Sequence, residues 1–194
     1  MAAPGPATAP STAPSSTPAQ KPAAPSLSRL EGKVALVTGG ASPLGFGAAI
    51  TTRFLSEGAK VLLGDLNGQG ASSFAASQNS SSIVAMGMDV TQQADWEKAV
   101  QTIMQKWGRL DIIVNNAGTT YRNKPTEQVS EQEWMRVFDV NVKSIFWSVK
   151  IAVPKIVEGK RGGSVINISS TGSERPRPGL VWYNSSKGAV SNVS

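Results

Sequence analysis

The side chains available for chemistry narrow the reactions that this sequence can support. It contains no Cys and no His, which excludes disulfides, thiolate nucleophiles, imidazole metal sites and Ser-His-Asp triads. Catalysis must therefore use Ser, Tyr, Lys, Asn or carboxylate side chains. Tyr183 and Lys187 stand four positions apart, so on a helix they share one face and lie side by side. An ordinary surface Tyr–Lys pair has the same spacing and is the alternative.

A glycine-rich segment at residues 38–47 has the composition of a phosphate-binding turn. It reads Thr-Gly-Gly-Ala-Ser-Pro-Leu-Gly-Phe-Gly and follows a short apolar run. Glycines let the backbone turn tightly and approach a pyrophosphate, while the N-terminus of the following helix supplies N–H donors. We predict a nucleotide-binding turn here, and a glycine-rich turn without a ligand is the alternative.

Polar or small residues also end the next three apolar runs. Asp65 lies 18 residues beyond Gly47, close to the spacing at which a carboxylate accepts hydrogen bonds from an adenosine ribose. Because such a carboxylate repels a 2′-phosphate, the sequence favours NAD over NADP. Asp89-Val90 and Asn115-Asn116-Ala117-Gly118 end the third and fourth runs. Taken singly, each of these features is also ordinary turn chemistry.

Short apolar runs alternate with longer amphipathic ones from Arg29 onward. The short runs are rich in branched residues and predict strands buried on both faces at 33–38, 60–65, 83–88, 110–115 and 164–169. The longer runs predict helices at 46–57, 69–77, 92–107 and 131–157. This alternation predicts an α/β fold with a doubly wound, Rossmann-like parallel sheet. Ligands of such sheets bind at the carboxyl ends of the strands.

The longest predicted helix has a marked beginning and an apolar face. It opens with Ser130-x-x-Glu133, which is the pattern of a capping box. Its large apolar residues fall at helical spacing, which predicts a single buried face. These residues are Trp134, Val137, Phe138, Ile145, Phe146 and Val149.

The beginning of the chain differs in composition from the remainder. Residues 1–28 contain seven prolines among Ala, Ser and Thr, with Lys21 as the only charge, and predict a disordered arm. Residues 29–194 are then one nucleotide-binding domain. No apolar core of a secretory signal is present in the arm, so we expect a cytoplasmic protein, with an organellar leader as the alternative.

The charge distribution bears on possible partners. The net charge is +6, and eight of the 19 basic residues follow position 142, against two acidic residues there. These basic residues do not form the stripe with interleaved aromatics that nucleic-acid binding requires. No segment approaches the ~20 apolar residues of a membrane span. We therefore expect neither nucleic acid nor membrane as a partner.

Together these motifs resemble the short-chain dehydrogenase/reductase family, in particular its branch of about 250-residue single-domain enzymes. The resemblance covers residues 31–194 and is closest to the 3-oxoacyl-carrier-protein reductases and the sugar or polyol dehydrogenases. It implies an NAD(P)-dependent oxidoreductase that transfers hydride between nicotinamide and a carbonyl or secondary alcohol of a small molecule. The motifs are the glycine-rich turn, Asp65, Asp89-Val90, Asn115-Asn116-Ala117-Gly118, Asn141, Ser170 and Tyr183-x-x-x-Lys187.

The resemblance also implies a role for each site residue. Tyr183 is the general acid/base, and Lys187 stabilises its phenolate and holds the nicotinamide ribose. Ser170 hydrogen-bonds the substrate oxygen, and Asn141 anchors a water in a proton relay from Lys187. For Asn141 a satisfied amide on a helix face is the alternative. The implied cofactor-binding residues are Gly39, Gly45, Gly47, Asp65, Asp89, Val90, Asn116, Ala117, Gly118, Tyr183 and Lys187, and no metal ligands are expected.

Two departures from the family pattern modify these expectations. Aligning Gly45 and Gly47 with the family glycines requires an insertion at Pro43-Leu44, which adds a residue without an N–H and predicts weaker cofactor binding. The chain also ends seven residues after Lys187, about 60 residues before related domains end. We therefore expect a C-terminally truncated domain whose sheet is incomplete, without its last strands and substrate loop.

Two alternatives to the oxidoreductase interpretation remain, and the truncation suggests the first of them. The chain could be a catalytically inactive fragment that binds nucleotide weakly at most. A sugar-nucleotide epimerase is a third candidate, because it shares the Tyr-x-x-x-Lys pair, but the Asn115-Asn116-Ala117-Gly118 motif and the position of Ser170 argue against it. A homo-oligomer is not expected, because the segment that commonly forms the interface is missing.

Overall fold

Five parallel strands form the centre of the computed structural model, which describes residues 28–194. The strands are β1 (Val34–Thr38), β2 (Lys60–Asp65), β3 (Ile83–Gly87), β4 (Ile112–Asn115) and β5 (Ser164–Asn167). Their order in the sheet is β3-β2-β1-β4-β5, so the order reverses between β1 and β4. The predicted doubly wound α/β sheet is confirmed. Apart from Ser28, the arm predicted at 1–28 lies outside the described residues.

Helices cover both faces of the sheet. They are α1 (Phe46–Ser56), α2 (Gly68–Ser77), α3 (Gln93–Trp107), α4 (Glu131–Phe138), α5 (Ser144–Trp147), α6 (Val153–Glu158) and α7 (Val181–Asn192). Alternate residues of the central strands point to opposite faces. Leu36 and Ile113 therefore pack with Trp96 and Ile156 on one side. Val37 and Val114 pack with Phe74 on the other.

The prediction that all five strands are buried on both faces is wrong for β3 and β5. Residues of β1 and β4 are buried throughout, whereas the β3 residues are half-buried or exposed. In β5, Val165 is 39% and Ile166 is 41% exposed. Both are edge strands of the described sheet. Fewer elements cover an edge strand than a central one, so the same branched composition stays nearer to solvent.

The segment predicted as one helix at 131–157 is helical but not regular. The capping box of Ser130 and Glu133 is present at its start. Two π-helical segments, Asp139–Lys143 and Ser148–Ala152, separate α4, α5 and α6. Each π turn rotates the following side chains about the helix axis, so the predicted single apolar face divides. Val137 and Ile145 are buried, Phe138 is half-buried, and Trp134, Phe146 and Val149 are exposed.

The buried carboxylate of Glu57, at the end of α1, binds Arg29 near the start of the described residues. The side chain of Glu57 is 2% exposed and accepts bonds from the Arg29 guanidinium at 2.9 Å and the Arg29 backbone N–H at 3.2 Å. The Arg53 guanidinium also donates to it. The hydrogen bond from Arg29 outweighs the opposing effect of burial and lowers the pKa of Glu57 to about 2.

Replacing Glu57 with Gln is expected to lower the melting temperature at neutral pH. Because the folded-state pKa lies below the ordinary value, the carboxylate stabilises the fold fully above about pH 4.3. This contribution is lost as the pH falls towards about 2, so the difference in melting temperature between wild type and Glu57→Gln should narrow over that range. Glu158→Gln removes an exposed ion pair with Lys155 and should have little effect at any pH. A Glu57→Gln difference that stays constant down to pH 2 would contradict this role.

Candidate active site

The glycine-rich turn lies between β1 and α1, beside the point where the strand order reverses. Gly39 has a φ of +76°, and a Cβ there would lie 2.7 Å from Ala117 Cα. A Cβ on Gly47 would lie 2.3 Å from Gly39 O. Larger residues therefore do not fit at either position without backbone movement. The turn and the start of α1 pack closely at the carboxyl end of the sheet.

Pro43 and Leu44, the residues predicted to be an insertion, lie at the outer tip of the turn. Gly45 N donates to Ser42 O at 2.9 Å, which closes a tight turn around Pro43 and Leu44. The Leu44 side chain is 99% exposed. The predicted insertion would thus lie on the solvent side, where it does not disturb the close approach of Gly39 and Gly47.

The Asn116 side chain binds the backbone at the start of this turn. Its Nδ2 donates to Thr38 O at 2.8 Å and to Gly39 O at 2.7 Å. Thr38 Oγ1 in return accepts the backbone N–H groups of Asn116 and Ala117 at 3.2 and 3.1 Å. The end of β4 and the end of β1 therefore fix each other's geometry.

A cavity of about 740 Å³ opens across the carboxyl ends of the strands. This volume is in the range of small-molecule and cofactor sites. Six of the predicted cofactor-binding residues line it: Gly39, Asp65, Asp89, Val90, Ala117 and Gly118. Gly45, Gly47, Asn116, Tyr183 and Lys187 are not among its lining residues. The opposite wall comes from α4 and the π segment after it, through Gln132, Met135, Arg136, Asp139 and Val140.

Two carboxylates of the cavity are bonded to nearby N–H groups. Asp65 accepts from Ala41 N in the glycine-rich turn and from Asn67 N, both at 2.8 Å. Asp89 accepts from the backbone N–H and hydroxyl of Thr91 at 2.9 and 2.8 Å. A carboxylate offers about four lone pairs, so each can accept further bonds from a ligand.

The predicted catalytic pair lies on α7, adjacent to this cavity. Lys187 is buried, and its Nζ donates to Ile168 O at 2.7 Å. Burial lowers the pKa of Lys187. A Cβ built on Gly118 would lie 3.5 Å from Lys187 Nζ, so the ammonium stands beside the backbone of a cavity-lining residue. Tyr183 is half-buried one helical turn earlier.

The serine predicted to contact substrate follows β5. Ser170 Oγ accepts the Gly172 N–H at 3.1 Å, and a hydroxyl that accepts one bond can still donate its own proton. The preceding residue has a different function, since Ser169 Oγ donates to Lys187 O at 3.0 Å. The segment after β5 therefore binds Lys187 at its backbone through Ser169 and at its ammonium through Ile168 O.

Comparison with known proteins decides the family. The family model described as short chain dehydrogenase matches residues 33–194. The chain belongs to this family. The resemblance inferred from its motifs is confirmed, and its relatives include dehydrogenases and reductases.

Relatives of the chain include proteins named for different substrates. The chain is 46% identical over 167 residues to a 4-formylbenzenesulfonate dehydrogenase from Comamonas testosteroni, covering 85% of this chain and 65% of the relative. It is 36% identical over 164 residues to a 3-oxoacyl-[acyl-carrier-protein] reductase from Thermotoga maritima, covering 84% and 65%. The chain thus spans just under two thirds of the length of these relatives.

Solved short-chain dehydrogenase structures have the same fold. A 3-ketoacyl-(acyl-carrier-protein) reductase from Brucella melitensis, complexed with NADH, superposes with a TM-score of 0.81 at 38% identity, covering 84% of this chain and 68% of the other. A short chain dehydrogenase/reductase from Burkholderia phymatum in complex with NAD gives a TM-score of 0.81 at 25% identity, covering 84% and 58%. The Rossmann-like class is thereby confirmed.

Asn141 occupies a central position in this candidate site. It lies in the first π segment, and its Oδ1 accepts Thr119 N at 2.8 Å while its Nδ2 donates to Thr119 O and Ser186 Oγ, both at 3.0 Å. Ser186 Oγ donates in turn to Tyr183 O at 2.7 Å. Asn141 therefore links the segment after β4 to the helix that carries Tyr183 and Lys187.

Several residues that shape the site were not predicted as site residues. Asn115 Nδ2 donates to Ser148 Oγ at 2.9 Å and to Asn167 Oδ1 at 2.8 Å, which joins β4 to β5 and to the second π segment. Ser186 and Thr119 were missed because their partner Asn141 is distant in sequence. The α4 wall of the cavity had no motif that could have identified it.

Two further observations concern membrane-spanning helices and metal-binding groups. Between residues 28 and 194, no helix is long and apolar enough to cross a membrane. The same part of the chain holds no group of three or more carboxylates placed to bind a metal ion.

Proposed function

We propose that the chain acts as an NAD-dependent oxidoreductase, transferring hydride between nicotinamide and the carbonyl or secondary alcohol carbon of a small molecule. The observation that carries the proposal is the position of the Lys187 ammonium beside Gly118, at a cavity whose rim also contains Asp65 and Gly39. A cationic group is thus placed next to a nucleotide-sized cavity. Tyr183 lies on the same helix, one turn before Lys187.

The residues around the cavity fit a dinucleotide. Gly39 and Gly118 offer backbone without side chains, and Asp65 supplies an acceptor for ribose hydroxyls at the end of β2. The α1 N-terminus lies next to the turn and provides N–H donors for a pyrophosphate. When bound, the nicotinamide ring would supply the hydride donor or acceptor. Lys187 would hold the ribose next to that ring.

The chain's own side chains would then manage the proton. During reduction Tyr183 donates its phenolic proton to the substrate oxygen, and during oxidation its phenolate takes that proton back. The charge of Lys187 stabilises the phenolate, and the Ser170 hydroxyl donates a hydrogen bond to the same substrate oxygen. Asn141 Oδ1 keeps a second lone pair for a water, through which a relay from Lys187 can reach solvent.

Turnover by the purified chain tests this proposal. Consumption of NADH should be followed by absorbance with a panel of aldehydes and ketones that includes 4-formylbenzenesulfonate, because the 46% identical relative is named for that substrate. Reduction of NAD by secondary alcohols such as cyclopentanol tests the opposite direction. Binding of NADH without turnover of any substrate would instead indicate a nucleotide-binding chain that performs no catalysis.

The charge of Asp65 is expected to select the cofactor. A ligand at a hundred times its Kd stabilises a protein by about 2.7 kcal/mol, so NADH should raise the melting temperature clearly and NADPH should not. Asp65→Asn keeps one oxygen for the Ala41 N–H but removes the charge, so the NADH–NADPH difference should shrink. Asp139→Asn removes a carboxylate from the opposite wall of the cavity and should preserve that difference. Equal shifts with NADH and NADPH in the wild type would refute the selection.

A further inference from the structure

An irregular segment after Gly118 connects the cavity to the start of α7. We call residues 119–124 the bridging segment. Its first residue is held by Asn141, which bonds both the N–H and the carbonyl of Thr119. Its last residue is held by α4, because Lys124 Nζ contacts Glu133 Oε1 at 2.8 Å. The bridging segment is therefore fixed at both ends before it meets α7.

The bridging segment also binds the loop that leads into α7. Asn123 Nδ2 donates to Pro178 O at 2.7 Å, and Lys124 N donates to Gly179 O at 3.3 Å. These two bonds hold the residues immediately before the helix. The bridging segment therefore holds the backbone that immediately precedes α7.

Tyr121 lies at the middle of the bridging segment and contacts the helix itself. It is 4% exposed, and its hydroxyl oxygen accepts the Trp182 N–H at 3.1 Å. Trp182 is the second residue of α7, so its N–H belongs to the first turn, which has no acceptor within the helix. The N-cap residue is Leu180, whose side chain makes no capping bond. A phenol that is 61 positions away in sequence therefore performs the capping.

We propose that Tyr121 is a positioning residue for Tyr183, which follows Trp182 directly in the first turn of α7. The inference rests on the proposed function, because it concerns the presentation of the acid/base. Tyr121 binds the backbone N–H of Trp182, the residue before Tyr183, and Ser186 Oγ donates to Tyr183 O. With both bonds in place, the backbone around Tyr183 is held in the first turn of α7, one helical turn before Lys187.

The Tyr121→Phe variant tests this role because it keeps the buried ring and removes only the oxygen. Hydrogen exchange of the Trp182 amide should accelerate about tenfold, since the amide loses its acceptor. We expect kcat to fall about tenfold or more through misplacement of Tyr183. The Kd for NADH and the KM for substrate should stay within about twofold of wild type. Ile103→Val removes one methylene from the buried face of α3 and is the control for a general loss of stability.

The possible outcomes distinguish a positioning role of Tyr121 from a general contribution to stability. Faster amide exchange confined to the Trp182 region supports the positioning role, provided that kcat falls while the Kd for NADH and the KM for substrate stay unchanged. Unchanged Trp182 exchange overturns it, and so does acceleration that extends evenly through α7 to Val190 or a parallel loss of NADH binding. If the wild type binds NADH without turnover, the proposed function fails. The exchange at Trp182 then decides by itself whether Tyr121 fixes the first turn of α7.

Discussion

Tyr183→Phe is expected to lower kcat by about a thousandfold, within the ~10²–10⁴ range that a positioned acid/base contributes. The change removes the phenolic hydroxyl to which the proposed mechanism assigns proton exchange with the substrate oxygen. The ring remains, so its packing in the half-buried position is retained. NADH binding, measured by thermal shift, should change less than about twofold because the hydroxyl acts on the reacting substrate.

A nearby serine provides the control for this substitution. Ser185 is exposed on α7, and its Oγ donates to Val181 O at 2.9 Å within the same helix. Ser185→Ala should therefore retain wild-type kcat. A Tyr183→Phe variant as fast as wild type would remove Tyr183 from the acid/base role. Loss of NADH affinity in step with kcat would assign Tyr183 to cofactor binding alone.

Gly39→Ala is expected to weaken NADH binding at least about a hundredfold and to lower the melting temperature. Alanine at a φ of +76° costs about 1–2 kcal/mol in backbone strain. In addition, its Cβ would meet Ala117 Cα at 2.7 Å and Ala117 N at 3.0 Å. Both partners are backbone atoms held by Thr38 and Asn116, so relief requires the turn and the end of β4 to separate. That movement would distort the surface that approaches a pyrophosphate.

Gly108→Ala isolates the strain from the clash. Gly108 ends α3 with a φ of +69°, and a Cβ there meets no atom within 4 Å. This variant should lose only the strain, which corresponds to roughly 2–8 °C for a domain of this size, and should bind NADH as wild type does. If Gly39→Ala and Gly108→Ala behave alike in both measurements, close packing at Ala117 has no part in cofactor binding.

The fold could be predicted from sequence because its determinants are local. Each strand is a short branched run, and the glycines and carboxylates predicted to bind the cofactor lie at or just after strand ends, so parallel topology brings them together. Burial could not be predicted so well. The run Ser-Val-Ile-Asn of β5 resembles Ile-Ile-Val-Asn of β4, yet only β4 is buried, because position in the sheet order decides exposure.

The remainder of the site depends on contacts that sequence spacing does not encode. A π turn adds a residue without altering composition, so the positions of Asn141 and Ser148 at π segments were not visible in the 131–157 pattern. The bond between Tyr121 and Trp182 joins distant residues through an irregular segment. The α4 wall of the cavity follows from helix placement. Such features require the packed structure.

The bonds from Asn116 to the turn at Thr38 and Gly39 have a consequence for the order of events during synthesis. They join positions 78 and 77 residues apart, so closing them carries the entropic cost of a long loop. A nascent chain that has emerged only as far as α3 contains β1, the glycine-rich turn and α1. It still lacks Asn116, whose side chain binds that turn. The turn of the proposed nucleotide site therefore gains these bonds only after β4 has left the ribosome and joined β1.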